Sequence, residues 1–175
     1  MYADLSDQYY TRWVSDNDSG LTNKNLAFAW ELMRIKNFDR IVFYDREDRV
    51  SVMEFIKWAR DPKKLLFEQF RRDGTPISLC WLTDPSLTCK QAFSHFTTFD
   101  IVPREEALER GRLVIKLIGK ITKIKQFIGI TPKCFRHAIP FAYDLGFKYL
   151  TTLKGAVYCR GKERDAVLSI CETQE

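Results

Sequence analysis

The sequence has only two histidines, His95 and His137, more than forty residues apart, and its cysteines form no Cys-x-x-Cys pair. That spacing offers no metal-ligand set. Neither Gly-x-Ser-x-Gly nor Gly-x-x-x-x-Gly-Lys-Ser/Thr occurs, which removes the nucleophile elbow of many hydrolases and the phosphate loop of nucleotide triphosphatases. Glycine is scarce, 8 residues against 13 phenylalanines, so disordered and fibrous classes are excluded and an aromatic-rich core is expected. No apolar run approaches the roughly 18 residues that a membrane helix needs. The start, Met1-Tyr2-Ala3-Asp4-Leu5-Ser6-Asp7, lacks the basic-then-apolar order of a signal peptide. A cytoplasmic protein with no membrane partner is the expectation. The five cysteines, an odd number, fit reduced thiols. Cys80, Cys159 and Cys171 fall in apolar strand-like runs, where a thiol packs as a small hydrophobe.

At 175 residues, 45% hydrophobic and 29% charged, the chain is long enough for one domain with a full core and short for two. The net charge of +5 is unevenly placed. Arg104, Arg110, Arg112, Lys116, Lys120, Lys123 and Lys125 outweigh Glu105, Glu106 and Glu109, whereas residues 1–20 are acidic. Such a patch suits a polyphosphate ligand, a nucleic acid or an acidic partner, or it is the solvated face of a helix. Because the aromatics fall at core-like positions, nucleic acid is not an expected partner.

Residues 1–20 lack periodicity and close on Ser15-Asp16-Asn17-Asp18-Ser19-Gly20, so 1–21 reads as an N-terminal arm and 22–175 as a single domain. Thr22 or Asn23 caps a helix to about residue 37, whose apolar Leu26, Ala27, Ala29, Trp30, Leu32 and Met33 surround much of the cylinder, so it is expected to be well buried. Residues 40–44 read as a strand and 51–60 as a helix. Residues 65–71 and 77–82 form a hairpin about Asp73-Gly74. After a turn at Asp84-Pro85-Ser86, residues 91–99 make a third strand. Pro103 opens a helix that runs to about residue 119, and residues 122–130 return as a strand. Thr131-Pro132 starts another helix that Gly146 stops. Residues 147–160 and 166–171 close the chain as a strand pair about Gly161-Lys162.

This order, with Ala138-Ile139-Pro140-Phe141-Ala142-Tyr143-Asp144-Leu145-Gly146-Phe147 followed at once by a strand, resembles the GCN5-related N-acetyltransferase (GNAT) superfamily over residues 22–172. The resemblance implies an α/β (α+β) acyl-CoA N-acyltransferase fold, a mixed central sheet of about seven strands flanked by about four helices. It implies acetyl-CoA or CoA as cofactor and an amine acceptor as partner. In that family the strands equivalent to 91–99 and 122–130 splay apart and accept the pantetheine arm on backbone groups. The pyrophosphate meets a Gln/Arg-x-x-Gly-x-Gly/Ala loop at the next helix start, where free N–H groups and the helix dipole attract phosphate.

The chain departs from that pattern twice. Between Phe99 and the apolar run at 113–118 there is one glycine, Gly111. It lies either in a displaced loop, Arg110-Gly111-Arg112, or at a packing position of a helix that begins at Pro103. Candidate cofactor contacts are Phe99, Asp100, Ile101, Arg104, Arg110, Gly111 and Arg112. The family's Asn-x-x-Ala and its thiolate-protonating Tyr align with Phe135 and Ala142. Tyr143 stands one residue later, about 100° round the helix, and reaches the family's position only if Pro140 distorts the helix. Transfer requires a base for the amine and an acid for the thiolate. His95 is the best base candidate because imidazole titrates near neutrality, ahead of Glu68 and Asp100, and Tyr143 and Tyr158 are the candidate acids. Two readings follow: an acyltransferase acting on an amine, or an inactive GNAT-fold binding or assembly module of the kind phages encode. Either allows a homo-oligomer or an assembly partner.

Overall fold

A computed structural model describes residues 2–14, 20–86, 88–99 and 102–173. Its strands form a mixed sheet. The chain divides into two compact units, Met1–Thr83 with His95–Ile101, and Asp84–Ser94 with Val102–Glu175.

The first unit holds β1 (Tyr2–Asp4), β2 (Tyr9–Val14), α1 (Gly20–Ile35), α2 (Asp39–Val42), α3 (Val52–Ala59), β3 (Lys64–Arg71), most of β4 (Pro76–Ser86) and the second half of β5 (Gln91–Thr98). Each of β1 to β4 pairs antiparallel with the next. Tyr2–Asp4 and Tyr9–Val14, which fall in the stretch expected as an arm, are therefore strands. Their alternation was hidden because Thr11 and Arg12 are polar yet buried. Residues 40–44, expected as a strand, lie in α2 and the turn after it, where the Phe43 N–H donates to Asp39 O at 2.9 Å. A run as short as Ile-Val-Phe does not distinguish the two conformations by its pattern. Ser51 and Glu54 start α3 with a reciprocal capping box, which satisfies two otherwise unpaired donors. Trp30 and Phe55 from the helices and Phe43 just after α2 meet Leu66 and Leu79 from the strands and Phe99 just past β5 in one apolar core. Trp30 stacks on Phe55 with ring centroids 5.0 Å apart.

Inside this unit β2 and β3 bury an ion pair. Arg12 Nη2 donates to Glu68 Oε2 at 2.5 Å, and the two residues are direct cross-strand partners. Burial pushes the Glu68 carboxyl up to about 7, against the pull of the Arg12 charge and hydrogen bond.

The second unit holds the first half of β5, α4 (Arg104–Thr122), β6 (Gln126–Pro132), α5 (Ala138–Asp144), β7 (Lys148–Cys159) and β8 (Lys162–Glu172). Gln91, Ala92 and Phe93 pair in parallel with Gln126, Phe127 and Ile128, and a parallel pair requires a crossover, here α4. β8 lies antiparallel between β6 and β7. Pro103 is the N-cap of α4 and not its first residue, and the helix buries Ala107, Leu108, Gly111, Val114 and Ile118 along one stripe, the spacing of a core-facing helix. Thr131 and Pro132 do not open a helix. They end β6, opposite Val167 and Ala166, and α5 begins only at Ala138. β4 likewise extends through Ser86, so Asp84-Pro85-Ser86 is strand end where a turn was expected.

β7 carries a register irregularity between Leu153 and Val157. Asp165 of β8 holds it, accepting from the Gly155 N–H at 3.2 Å and from Lys154 Nζ at 3.1 Å. Those bonds hold the Asp165 carboxyl below the usual carboxylate range.

Removing one member of a buried pair strands the other charge, so Arg12→Ala should cost about 3–5 kcal/mol in urea unfolding at pH 8. Glu68 adds a pH dependence. Its folded value lies above its ordinary 4.5, so the folded state keeps a proton that the unfolded chain has released. This contribution to stability is full below about pH 4.5 and is lost as pH rises through about 7. Denaturation of Glu68→Gln should lack that slope, and an unchanged slope would remove Glu68 as its source.

Candidate functional site

The Leu145-Gly146-Phe147 tripeptide organises the second unit. Gly146 adopts φ +103°, a left-handed conformation that a side chain would strain. Its N–H donates to Tyr143 O at 2.9 Å and the Phe147 N–H donates to Ala142 O at 3.0 Å. These two bonds are the Schellman ending of a helix. The residues on either side then insert in two directions. Leu145 packs into α4 at Gly111, where a Cβ would stand 2.6 Å from Leu145 Cδ2. Phe147 lies against Gly129 of β6, where a Cβ would stand 3.4 Å from its ring. Gly111 thus occupies the packing position within a continuous α4, and no displaced loop forms there.

Pro140 is the third residue of α5. Its missing N–H falls in the first turn, where no intrahelical acceptor exists, so it supplies no distortion to carry Tyr143 round the helix. Tyr143 stays 40% exposed on α5, and Tyr158 is 45% exposed on β7. The two candidate acids thus stand on separate elements, each partly exposed.

Of the expected phosphate contacts, Arg110 is buried, 1% exposed, and so unsuited to meet a phosphate at the surface. Arg104 pairs with the Asp144 carboxylate, and its guanidinium lies 6.0 Å from the Phe141 ring centre. Arg112 Nη2 donates to the Asp144 carbonyl at 2.7 Å. Asp144, which sequence reasoning passed over, therefore receives both arginines at the end of α5. Beside it opens a cavity of about 570 Å³ with Arg112, Lys116 and Lys148 around the apolar residues Ile115, Leu145 and Ile170. Three cations over an apolar floor match an anionic ligand with an extended body. Asp144 and Glu172 also line it and temper the charge.

In the first unit His95 is half-buried and lies flat on Trp81, with centroids 5.1 Å apart and 6° between the planes. Its Nε2 is 3.2 Å from Thr83 Oγ1. Trp58 in turn stands edge-on to Trp81 at 5.2 Å. The ring is held in one orientation, as a general base requires. Phe99, the other candidate here, is buried. Its carbonyl accepts from Lys36 Nζ at 2.7 Å and its N–H donates to Ile77 O at 3.0 Å. Asp100 and Ile101 lie outside the described residues. Glu68 is fully buried and bound to Arg12, which leaves it no access to a substrate. Burial pushes the Cys80 thiol up to about 12 and raises that of Cys171, as expected of packed thiols. Among the described residues no group of carboxylates, imidazoles and thiols could hold a metal, and no helix is long and apolar enough to cross a membrane.

The parallel β5–β6 pair joined by α4, followed by α5 and the β7–β8 hairpin, defines the GNAT acyl-CoA N-acyltransferase fold. Solved structures bear this out over the whole chain. An acetyltransferase from Salmonella typhimurium that modifies the N-terminal serine of ribosomal protein L7/L12 superposes with a TM-score of 0.79 at 10% identity, covering 99% of this chain and 100% of that one. The ribosomal-protein-S5-alanine acetyltransferase of Vibrio fischeri gives 0.72 at 10% identity over 100% and 98%. A microcin C7 self-immunity acetyltransferase, solved with acetyl-CoA and AMP, gives 0.73 at 12% identity over 96% and 94%. By sequence, no protein-family model and no curated protein matches the chain.

The packing at Leu145 predicts two separable losses in urea unfolding. Gly111→Ala should cost about 1–3 kcal/mol because the Leu145 methyl must turn away from a filled site. Gly146→Ala should cost about 1–2 kcal/mol through backbone strain. A Gly111→Ala variant that gains the full ~1 kcal/mol of helix propensity over glycine would show that α4 does not seat on Leu145.

Proposed function

We propose that the protein is an N-acyltransferase that transfers an acyl group, acetyl in the first instance, from an acyl-CoA thioester to an amine acceptor. The observation that carries this reading is the whole-chain likeness to N-acetyltransferases at TM-scores of 0.72 to 0.79, two of which act on ribosomal proteins by their names. The alternative, an inactive binding or phage assembly module, has no observation of its own in its favour. The cofactor would supply an acyl group at a thioester carbonyl. Arg112, Lys116 and Lys148 fit its phosphates, since they converge on one cavity and charge-assisted contacts to phosphate are strong. The first turn of α4, with Glu105 and Glu106, opposes phosphate instead, so in this reading the binding charge shifts along α4 from its start to its middle.

His95 would take the proton of the attacking amine, its ring held by Trp81 and Thr83. Tyr143 and Tyr158, both partly exposed, are the candidate proton donors to a leaving thiolate in this reading.

Calorimetric titration and thermal melting with acetyl-CoA test the reading. A site held a hundredfold above its dissociation constant adds about 2.7 kcal/mol of stability. Paired Arg112→Ala and Lys116→Ala substitutions should weaken binding by about 10²-fold or more, from the loss of charge-assisted hydrogen bonds of about 1.5–3 kcal/mol each. No shift at millimolar acetyl-CoA would sink the proposal. If the cofactor binds, His95→Ala should lower turnover by about 10²-fold or more while binding stays intact, and unchanged turnover would assign the base elsewhere.

A further inference from the structure

Two of the five cysteines are brought together by the fold. Cys134, exposed in the connection from β6 to α5, and Cys159, buried at the last position of β7, place their sulfurs 3.3 Å apart. We propose that they are an oxidant-responsive thiol pair that closes to an intramolecular disulfide. The arrangement does not rest on the acyl-transfer reading.

The local structure holds both thiols in place. The Lys133 N–H donates to Asp165 O at 2.9 Å and the Phe135 N–H to Pro132 O at 2.9 Å, which fixes the backbone on either side of Cys134. Cys159 faces Lys162 across the two-residue turn Arg160-Gly161, and the Arg160 guanidinium lies 5.7 Å from the Phe135 ring centre. That contact closes the hairpin end over the Cys134 connection. The sulfurs, already in contact, must approach to about 2.05 Å to bond. Accessibility sets the order of events. Cys134 meets solvent, whereas burial and the neighbouring Cys134 thiol push Cys159 up to about 11, with Arg160 and Arg164 pulling the other way.

The oxidant is a hydroperoxide. With hydrogen peroxide, Cys134 Sγ, as thiolate, attacks one peroxide oxygen, the O–O bond breaks, the sulfur becomes a sulfenic acid, and the departing hydroxide takes up the proton the thiol had released to leave as water. Cys159 Sγ then attacks the Cys134 sulfur, the S–S bond forms, the S–O bond breaks, and the Cys159 proton leaves with the hydroxide as a second water. Two thiols lose two electrons and one peroxide gains them. The product ties the β6–α5 connection to the β7–β8 hairpin and encloses α5 and Leu145-Gly146-Phe147 in a covalent loop.

The test uses the full chain, fully reduced and then treated with a small molar excess of hydrogen peroxide. The expected product is a monomer lighter by two hydrogen atoms, with titratable thiols under denaturing conditions falling from five to three. Trypsin should release residues 134–136 (Cys-Phe-Arg) joined to residues 155–160 (Gly-Ala-Val-Tyr-Cys-Arg). The melting temperature should rise and return with dithiothreitol. Cys89→Ser, at an exposed cysteine outside the pair, should preserve the link. Cys134→Ser, also at an exposed position, should fold normally and lose it. Addition of oxygen to Cys134 without a cross-link, or a disulfide between two chains, would overturn the proposal, and a cross-link without a higher melting temperature would overturn the tether.

Discussion

The seating of Leu145 against Gly111 is the constraint on which the second unit depends. α4 approaches the end of α5 so closely that a methyl group at position 111 would meet the Leu145 side chain at 2.6 Å. That approach is possible only because the helix tolerates a glycine near its middle, at a cost of about 1 kcal/mol in helix propensity. The left-handed Gly146 turns the chain at once, and Phe147 then reaches β6. One tripeptide therefore joins two helices and a strand. It also sets where Asp144 stands, and Asp144 in turn receives Arg104 and Arg112. The cationic cavity follows from this packing, because Leu145 and Gly146 form part of its wall.

The first unit is organised by an apolar core with charge at its margin. Trp30, Phe43 and Phe55 supply much of that core, while Arg12 and Glu68 lie fully buried as cross-strand partners. Such a pair contributes little net stability, since desolvation offsets attraction, yet breaking it is costly. It fixes the register of β2 on β3, because a one-residue slip would carry Arg12 to the opposite face. The aromatic series Trp58, Trp81 and His95 extends from α3 through β4 to β5, so the candidate base is oriented by packing that begins in the core.

Parts of this were readable from residue types that carry their own geometry. Leu-Gly-Phe announced a helix stop and Asp73-Gly74 a hairpin, because each acts over a few residues. The parts that were not readable are those where a polar residue is buried by a distant partner. Arg12 is 56 residues from Glu68, and without that partner it reads as an arm. Thr131-Pro132 has the composition of a helix start, but pairing with Val167 and Ala166 holds it in the sheet. The same displacement moves Pro140 from the interior of a helix to its first turn. At the candidate site, a row of arginines on one helix was legible as charge. Which of them would be buried, as Arg110 is, or bound to Asp144, as Arg104 is, depends on tertiary packing.

Asp165 has a consequence for how the protein survives in concentrated solution. β7 ends the strand order and leaves a long row of residues exposed, including Tyr149, Leu150 and Tyr158. A flat strand of that length would be a template for other chains to add to. By drawing the Gly155 amide and the Lys154 ammonium onto one carboxylate, Asp165 keeps a kink and a cation in the middle of that strand. The hydrogen bonds that shape the hairpin thus also guard it against fibrous growth.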